Sequence, residues 1–391
     1  MQTRYDTSLF ILGGSLTSLA LIRNAHSLNL LPVLFSNSNE ISTHSQLSKL
    51  VLVDNSAEQA FSLIQQQSLL FTKVFLIASS DEWIRFIISF RRQIENLGIE
   101  ILQAENSILD ICLNKIKFNE WAIKEKLPVP EMFAVPDLNA SNLKKVLDEF
   151  PYPLVARPSI TRHFDANHLL LKAQNIFTAN QLESCLRKFK AAEISPIITQ
   201  SLVPFESIQY SVAVVRKDNE VRSFVAEKIR PSIDGFSTGT FVSLSPSKDV
   251  EALARLTLDR LNYYGMAEVE ILKRPDTGEL FLIEINARPW LQYMLAWRSN
   301  HDFLRFLIKK NSYICDLERK TGFHWIYFNS DFFVTFSNSI GTVRNGKLRL
   351  HEYLYTLMKA NVFACFFWRD LRPFYVSLKE LFQLVTGSSR N

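Results

Sequence analysis

Cysteine is scarce in this chain. Its 391 residues include four cysteines, which lie far apart and form no C-x-x-C pair: Cys112, Cys185, Cys315 and Cys365. Cysteines this sparse argue against a disulfide framework and a cysteine-based zinc site, and they favour a reducing cytoplasm. The apolar run at 9–12 is interrupted by two glycines, so no secretory signal is expected. No apolar stretch has the length of a membrane-spanning helix.

The sequence also lacks any segment in which charge of one sign is concentrated. The formal net charge is +5, and the basic residues are scattered rather than grouped. Nucleic-acid binding is therefore not indicated, and an anionic small ligand suffices to explain local groups of Lys and Arg. Hydrophobic residues make up 47% and charged residues 21%, which is typical of a globular protein. The length predicts two or three domains.

The first part of the chain alternates between two kinds of pattern. Short β-prone runs and helical patterns follow one another, which predicts a parallel, doubly wound sheet. The glycine turn at 13–15 is not G-x-G-x-x-G, and the second strand ends without a ribose-binding acid, so dinucleotide binding is excluded. That turn either holds an anionic group of a substrate or is structural only. The predicted strands are 7–12, 31–35, 50–53 and 74–78, and the predicted helices include 57–65 and 81–96.

Residues 268–290 carry the most chemistry. Two β-prone runs flank a Pro-Asp-Thr-Gly turn, which predicts a hairpin. Antiparallel pairing would bring Glu270 near Glu284, and Asn286 leaves the same sheet face as Glu284 because it follows by two residues. Carboxylate and amide oxygens suit Mg²⁺ that also binds phosphate oxygens. Arg288, two residues further on, adds a cation to that face.

The Glu-Ile-Asn-Ala-Arg-Pro motif at 284–289 resembles the Glu-apolar-Asn-Pro-Arg motif of the ATP-grasp superfamily, in its carboxylate–amine ligase-like branch. The resemblance implies ATP and two Mg²⁺ ions, with Mn²⁺ as an alternative, and makes Glu270, Glu284 and Asn286 the metal ligands. It implies an α/β (α+β) fold in three parts. These are a Rossmann-like domain at 1–110, a two-subdomain ATP-grasp domain at 111–310 with a hinge near 197–205, and a mainly helical, aromatic-rich C-terminal extension at 311–391.

Two basic residues resemble the nucleotide-binding lysines of the superfamily. Lys115 opens a helix after Asn114, where the family has an acid, and is expected to reach the nucleotide phosphates. Arg157 stands where the family has lysine. It keeps the positive charge, but it is bulkier and binds oxygens bidentately. The following loop, 159–167, contains no glycine, unlike many lids of the family.

The segment 197–205 resembles the hinge that reads the adenine edge through backbone groups. By that resemblance Gln200 and Leu202 flank the adenine and Val203 packs on it. Glu206 is the preferred ribose-binding acid, although Gln209 also lies close to the next strand.

Lys228 and Arg230 alternate along a strand pattern, which predicts that both point to one sheet face. With the Gly-rich stretch at 235–240 they resemble the cationic grip of carboxylate–amine ligases on the γ-phosphate and the substrate carboxylate. Lys228, Arg230 and Arg288 are therefore the expected catalytic residues. A solvated strand face is the simpler alternative.

The resemblance implies an ATP-dependent ligase that activates a carboxylate as an acyl phosphate and joins it to an amine. A non-catalytic ATP-binding module and a small-molecule kinase remain alternatives. The aromatic clusters after residue 321 fit an internal core, a partner patch or a membrane-surface contact, and core packing is favoured. Small-molecule substrates are the expected partners, and a homo-oligomer is left open.

Overall fold

The structure, a computed structural model, describes most of the chain. The described residues are 6–37, 39–54, 56–134, 152–159, 173–191, 196–200, 207–231, 239–309, 321–336 and 348–386. They form three β-sheets with helices between them, which confirms the predicted α/β class.

The first sheet belongs to the N-terminal part of the chain. Its elements are β1 (Thr7–Leu12), α1 (Leu16–Ser27), β2 (Leu31–Ser36), β3 (Lys49–Leu52), α2 (Ala57–Ser68), β4 (Lys73–Ala78), α3 (Asp81–Asn96) and β5 (Glu100–Ile101). The strands pair in parallel in the order β3-β2-β1-β4-β5, as the alternating pattern predicts. The turn after β1 needs glycine, because Gly13 has φ +106° and a Cβ there would lie 2.7 Å from Ser79 Oγ.

A four-stranded sheet lies in the next part of the chain. The elements of this part are α4 (Asn106–Leu113), α5 (Lys115–Lys124), β6 (Met132–Ala134), β7 (Leu154–Pro158), β8 (Gln174–Ile176), α6 (Ala179–Ala191) and β9 (Pro196–Gln200). The strand order is β6-β9-β7-β8, and all pairs are antiparallel.

The largest sheet has seven strands and runs to the C-terminal extension. The elements of this part are β10 (Ile208–Lys217), β11 (Glu220–Pro231), β12 (Gly239–Leu244), α7 (Lys248–Arg260), β13 (Gly265–Lys273), β14 (Leu280–Asn286), α8 (Tyr293–Arg298), α9 (Phe303–Ile308), β15 (His324–Ile326), α10 (Phe328–Phe336), α11 (Leu350–Lys359), β16 (Val362–Phe363) and α12 (Arg372–Thr386). The strand order is β14-β13-β10-β11-β12-β15-β16.

The N-terminal sheet packs directly against the seven-stranded sheet. Gly265, which opens β13, has φ +96°, and a Cβ at that position would lie 2.6 Å from the carbonyl oxygen of Leu102. One face of the large sheet also shares a core with α1 and α8 through Leu21, Phe224 and Tyr293. These contacts bring the end of β4 and the start of α3 close to the β13–β14 hairpin.

A β-bulge changes the direction of side chains near the end of β11. Lys228 pairs with Val242 and Arg230 with Phe241, and the register shifts between these pairs. Opposite residues of an antiparallel pair share a face, whereas successive residues of β12 alternate. Lys228 and Arg230 therefore lie on opposite faces, and the prediction that they share one is wrong. The bulge absorbs Ile229 as an extra residue, which a strict period of two cannot anticipate.

The C-terminal extension is mainly helical, as predicted, and it also adds β15 and β16 to the large sheet. Two buried ion pairs, which we name the C-terminal anchors, fasten it. Arg23 Nε lies 3.2 Å from Asp370 Oδ2, and Arg230 Nε lies 2.8 Å from Asp331 Oδ1. The predicted domain boundaries at 110 and 310 remain predictions.

Candidate active site

The β13–β14 hairpin places four oxygen-bearing side chains together. Glu270 pairs directly with Glu284, which confirms the predicted pairing, and Glu268 pairs with Asn286. Because these residues alternate along their strands, all four side chains share one face. Asn286 Nδ2 donates hydrogen bonds to Glu268 Oε2 at 3.0 Å and to Glu270 Oε1 at 3.4 Å. We name these four residues the carboxylate cluster.

Two lysines from other elements neutralise part of the carboxylate cluster. Lys115 Nζ lies 2.9 Å from Glu284 Oε2, and Lys228 Nζ lies 3.0 Å from Glu270 Oε2. Lys115 is the first residue of α5, whose N-terminus is capped by the Asn114 side chain. The asparagine thus performs the capping that an acid would perform there. Both lysines contact the expected metal ligands.

Arg157 approaches the same cluster from the four-stranded sheet. Its Nε is buried and has no hydrogen-bond partner among the described residues. Burial lowers its pKa, while the negative charges of Glu284 and Glu270 act in the opposite direction. A buried guanidinium N–H without an acceptor is costly, so this geometry favours an anionic ligand at Arg157.

The two central carboxylates titrate differently. Burial raises the pKa of Glu270 to about 7, Lys228 opposes the shift, and the nearby Glu268 and Glu284 reinforce it. Burial also acts on Glu284, but there Lys115 and Arg157 outweigh it and lower the pKa. Burial thus leaves Glu270 only partly ionised at neutral pH, whereas Glu284 stays ionised beside Lys115 and Arg157.

This donor set fits Mg²⁺. Glu270, Glu284 and the amide oxygen of Asn286 are hard oxygen ligands, and a divalent cation would stabilise the ionised form of Glu270, whose pKa is raised mainly by burial. Within the described ranges, no group of three His, Cys, Asp or Glu side chains is placed to hold a metal by itself. Nucleotide phosphate oxygens would have to complete the coordination, as is usual for Mg²⁺.

Arg288 lies at the border with the N-terminal sheet. Its Nε donates to Asp81 Oδ1 at 2.9 Å, and its Nη2 donates to Asn286 Oδ1 at 3.3 Å. Asp81 is the first residue of α3, at the carboxyl end of β4. Arg288 thus connects the carboxylate cluster to the N-terminal sheet.

Three residues of this site were not assigned from the sequence. Glu268 is buried and accepts hydrogen bonds from Ser211 Oγ and Asn286 Nδ2. The alternation of Glu268 with Glu270 was a usable signal, because it places both on one face. Ser211 and Asp81 carried no such signal, since each reaches the site through long-range packing.

Arg230 is not brought to the carboxylate cluster. Its guanidinium makes a bidentate pair with Asp331, at 2.8 and 2.9 Å, and donates to Thr356 Oγ1 at 2.6 Å. It also lies over the rings of Phe241 and Tyr353. These described contacts are with β12 or the C-terminal extension, so the predicted catalytic role of Arg230 stays a prediction without a supporting contact among the described residues.

The expected adenine-binding segment is largely outside the described residues. That holds for Leu202, Val203 and Glu206, and for most of the 159–167 loop. Gln200 is described as the last backbone position of β9, but its side chain is not described. The roles predicted for these residues remain predictions.

The fold is similar to that of solved ATP-dependent ligases and synthetases. Among solved structures, the ADP complex of N5-carboxyaminoimidazole ribonucleotide synthetase is similar over 78% of both chains, with TM-score 0.61 and 19% identity. The L-amino acid ligase of Bacillus licheniformis is similar over 78% of this chain and 74% of its own, with TM-score 0.59 and 16% identity. The likeness at this level of identity concerns the fold.

Sequence comparison also finds a similar ligase. The D-aspartate ligase of Enterococcus faecium is 24% identical over 229 residues, which cover 55% of this chain and 53% of that protein. The match thus spans about half the length of that relative. No protein-family model matches the chain. In the part of the chain that the structure describes, no helix is long and apolar enough to cross a membrane.

Proposed function

We propose that the protein is an ATP-dependent ligase that activates a carboxylate as an acyl phosphate and joins it to an amine, releasing ADP and phosphate. The observation that carries the proposal is the buried Nε of Arg157, which has no hydrogen-bond partner among the described residues and lies near the buried carboxylates of Glu270 and Glu284. Phosphate oxygens would satisfy the guanidinium, and Mg²⁺ would satisfy the carboxylates.

An exchange of partners would assemble the site. In the described contacts Lys115 and Lys228 each neutralise one carboxylate. When Mg·ATP binds, Glu270, Glu284 and Asn286 would hold the metal, and both ammonium groups would turn to phosphate oxygens. Mg²⁺ would supply neutralisation of the developing phosphate charge. The lysines and Arg157 would orient the phosphates for in-line transfer.

The chemistry then needs no protein nucleophile. A substrate carboxylate oxygen attacks the γ-phosphorus, and the bond from that phosphorus to the bridging oxygen of ADP breaks. The amine nitrogen attacks the acyl carbon, phosphate leaves with the electron pair of the carbon–oxygen bond, and the nitrogen loses a proton. Arg288, which pairs with the carboxylate of Asp81 in the structure, would exchange that partner for the substrate carboxylate.

The relatives support this reaction class and guide the choice of substrates. The names D-aspartate ligase and L-amino acid ligase both describe ligases of amino acids. Amino acids of both configurations are therefore the first candidates for the carboxylate or the amine. A cytoplasmic site of action is part of the proposal and stays a prediction, and the oligomeric state stays open.

The test is a screen of the purified chain with Mg·ATP and pairs of amino acids or small acids, measuring ADP and phosphate in the same sample. The expected result is equal release of both with at least one pair, together with an amide product in mass spectrometry. Release of ADP without phosphate would instead indicate a small-molecule kinase. Binding of Mg·ATP without turnover across the screen would indicate a non-catalytic module.

A further inference from the structure

The C-terminal extension exposes much of its apolar surface. More than half of the large apolar side chains that are exposed in the described residues lie between 328 and 382. A surface this rich in apolar side chains is uncommon outside sites of association. The members are Phe328, Phe333, Leu350, Leu354, Tyr355, Met358, Phe363, Phe366, Trp368, Tyr375, Leu378 and Phe382.

Helix α12 presents its apolar stripe outward. Tyr375, Leu378 and Phe382 are spaced at i, i+3 and i+7, so they lie on one helix face, and they are 62%, 39% and 68% exposed. The inward side contains the buried Ser377, whose carbonyl accepts a hydrogen bond from Asn329 Nδ2 at 2.7 Å. The helix is therefore docked through one side while its apolar side faces outward.

A row of aromatic rings continues this stripe. Phe363 contacts Phe366, Phe366 contacts Phe374, and Phe374 contacts Tyr375, with ring centroids 5.2–6.2 Å apart. Trp368 lies in the same segment and is 76% exposed. Trp, Tyr and Phe are the side chains that favour the boundary between water and lipid. We name the surface formed by 363–382 the aromatic face.

The exposed charges of residues 348–386, which include the aromatic face, are mainly positive. Asp370, a carboxylate within this segment, is buried and paired with Arg23, so it adds no negative charge to the surface. Residues 348–386 carry an exposed carboxylate at Glu352 and a half-buried one at Glu380. Against these stand five exposed cations, Arg349, Lys359, Arg369, Arg372 and Lys379.

We infer that the aromatic face docks on an anionic lipid bilayer. Basic side chains beside exposed aromatic and aliphatic ones are typical of helices that lie in the membrane interface. Charge complementarity favours the bilayer over a second copy of the chain, because a two-fold contact would place the same positive surface on both sides. Trp368, Tyr375 and Phe382 would enter the headgroup region, and Arg369, Arg372 and Lys379 would contact lipid phosphates. The inference does not rest on the proposed ligase activity.

The test is sedimentation of the full chain with vesicles of phosphatidylcholine, with and without phosphatidylserine. Binding is expected to the phosphatidylserine vesicles and to weaken with salt. The variant Arg372→Glu/Lys379→Glu should weaken binding at least about twenty-fold, since each cation near such a surface contributes about five-fold. Trp368→Ser/Phe382→Ser should weaken it about ten-fold or more, because apolar burial is lost.

Matched controls come from exposed residues elsewhere. Lys188→Glu on α6 changes an exposed cation. Leu69→Ser, just after α2, changes an apolar side chain that is 80% exposed. Both should bind vesicles as the unchanged protein does. Unaltered thermal unfolding of the aromatic-face variants excludes misfolding as the cause. Vesicle binding that survives both double substitutions would overturn the inference. The inference would also be overturned if the protein did not bind vesicles and instead formed a dimer, measured by light scattering, that the same substitutions dissociate.

Discussion

Two groups of buried charged side chains lie close together in this molecule, and they differ in how fully other protein groups pair with them. Lys228 and Arg230 are two residues apart on β11, yet the bulge sends them to opposite faces. Arg230 enters a C-terminal anchor in which its guanidinium donates to Asp331 and Thr356. Lys228 contacts the carboxylate cluster, where Glu270 has a raised pKa, and the nearby Nε of Arg157 has no hydrogen-bond partner in the described part of the chain. Buried charge alone therefore does not mark a functional site.

The contrast indicates what a ligand would add. In the anchors, protein groups supply the partners of the buried guanidinium, as buried ion pairs require. Near the carboxylate cluster, the described residues offer no acceptor to the Nε of Arg157, and burial raises the pKa of Glu270 despite its ion pair with Lys228. Mg·ATP would supply an acceptor for Arg157 and a cation for Glu270 in one ligand. The following substitutions separate the two kinds of network.

The largest effect is expected for Glu284→Ala. Loss of a metal ligand should lower turnover of the substrate pair found in the screen by about 10³-fold or more, because charge stabilisation of the phosphoryl transfer is lost. The measurement is ADP release at saturating substrates. Glu279→Ala, which changes an exposed carboxylate before β14, is the matched control. Normal turnover of Glu284→Ala would show that the metal ligands are assigned wrongly.

Asp331→Ala should act on stability instead. It leaves the guanidinium of Arg230 buried without its carboxylate, which costs about 3–5 kcal/mol. The midpoint of urea unfolding should fall accordingly, while the Mg·ATP affinity of the folded protein should stay within about two-fold, a change of about 0.4 kcal/mol. If affinity falls and stability does not, Arg230 belongs to the nucleotide site after all.

Lys228→Met should instead weaken Mg·ATP binding and leave the stability nearly unchanged. Removing a charge-assisted hydrogen bond to phosphate should weaken Mg·ATP binding about ten-fold or more. The stability should change by about 1 kcal/mol or less, because Glu270 can take up a proton when its ion-pair partner is gone. Calorimetric titration and urea unfolding of the same preparation give both values. A stability loss as large as that of Asp331→Ala would remove the distinction between the two networks.

A last effect concerns pH. The pKa of Glu270 is about 7 in the folded chain against its ordinary 4.5, so between these values the folded state binds more protons than the unfolded state. The contribution of Glu270 is therefore fully present below about pH 4.5 and is lost as pH rises through 7, by an amount of up to about 3 kcal/mol. Comparing the pH dependence of the free energy of unfolding between the ligand-free protein and Glu270→Gln isolates this contribution. Identical pH profiles would contradict the raised pKa.

Much of the candidate site is predictable because it depends on local pattern. The period of two along β13 and β14 places Glu270, Glu284 and Asn286 together, and the resemblance to the ATP-grasp superfamily, rather than the pattern, indicates Lys115. Long-range packing decides the rest. The pairing of Arg288 with Asp81 joins positions 207 residues apart, and no periodicity encodes it. The bulge at Ile229 is an insertion into the strand pattern, which reverses the face that alternation assigns to Arg230.

The central claim is that Arg157 and the carboxylate cluster form one site for Mg·ATP. Calorimetric titration of Mg·ATP into the unchanged protein, Arg157→Met and Arg157→Lys tests it directly. The unchanged protein should bind ATP in a Mg²⁺-dependent manner, Arg157→Met should bind about ten-fold or more weakly, and Arg157→Lys should recover most of the loss because it restores the charge. Equal affinity of Arg157→Met and the unchanged protein would contradict the claim.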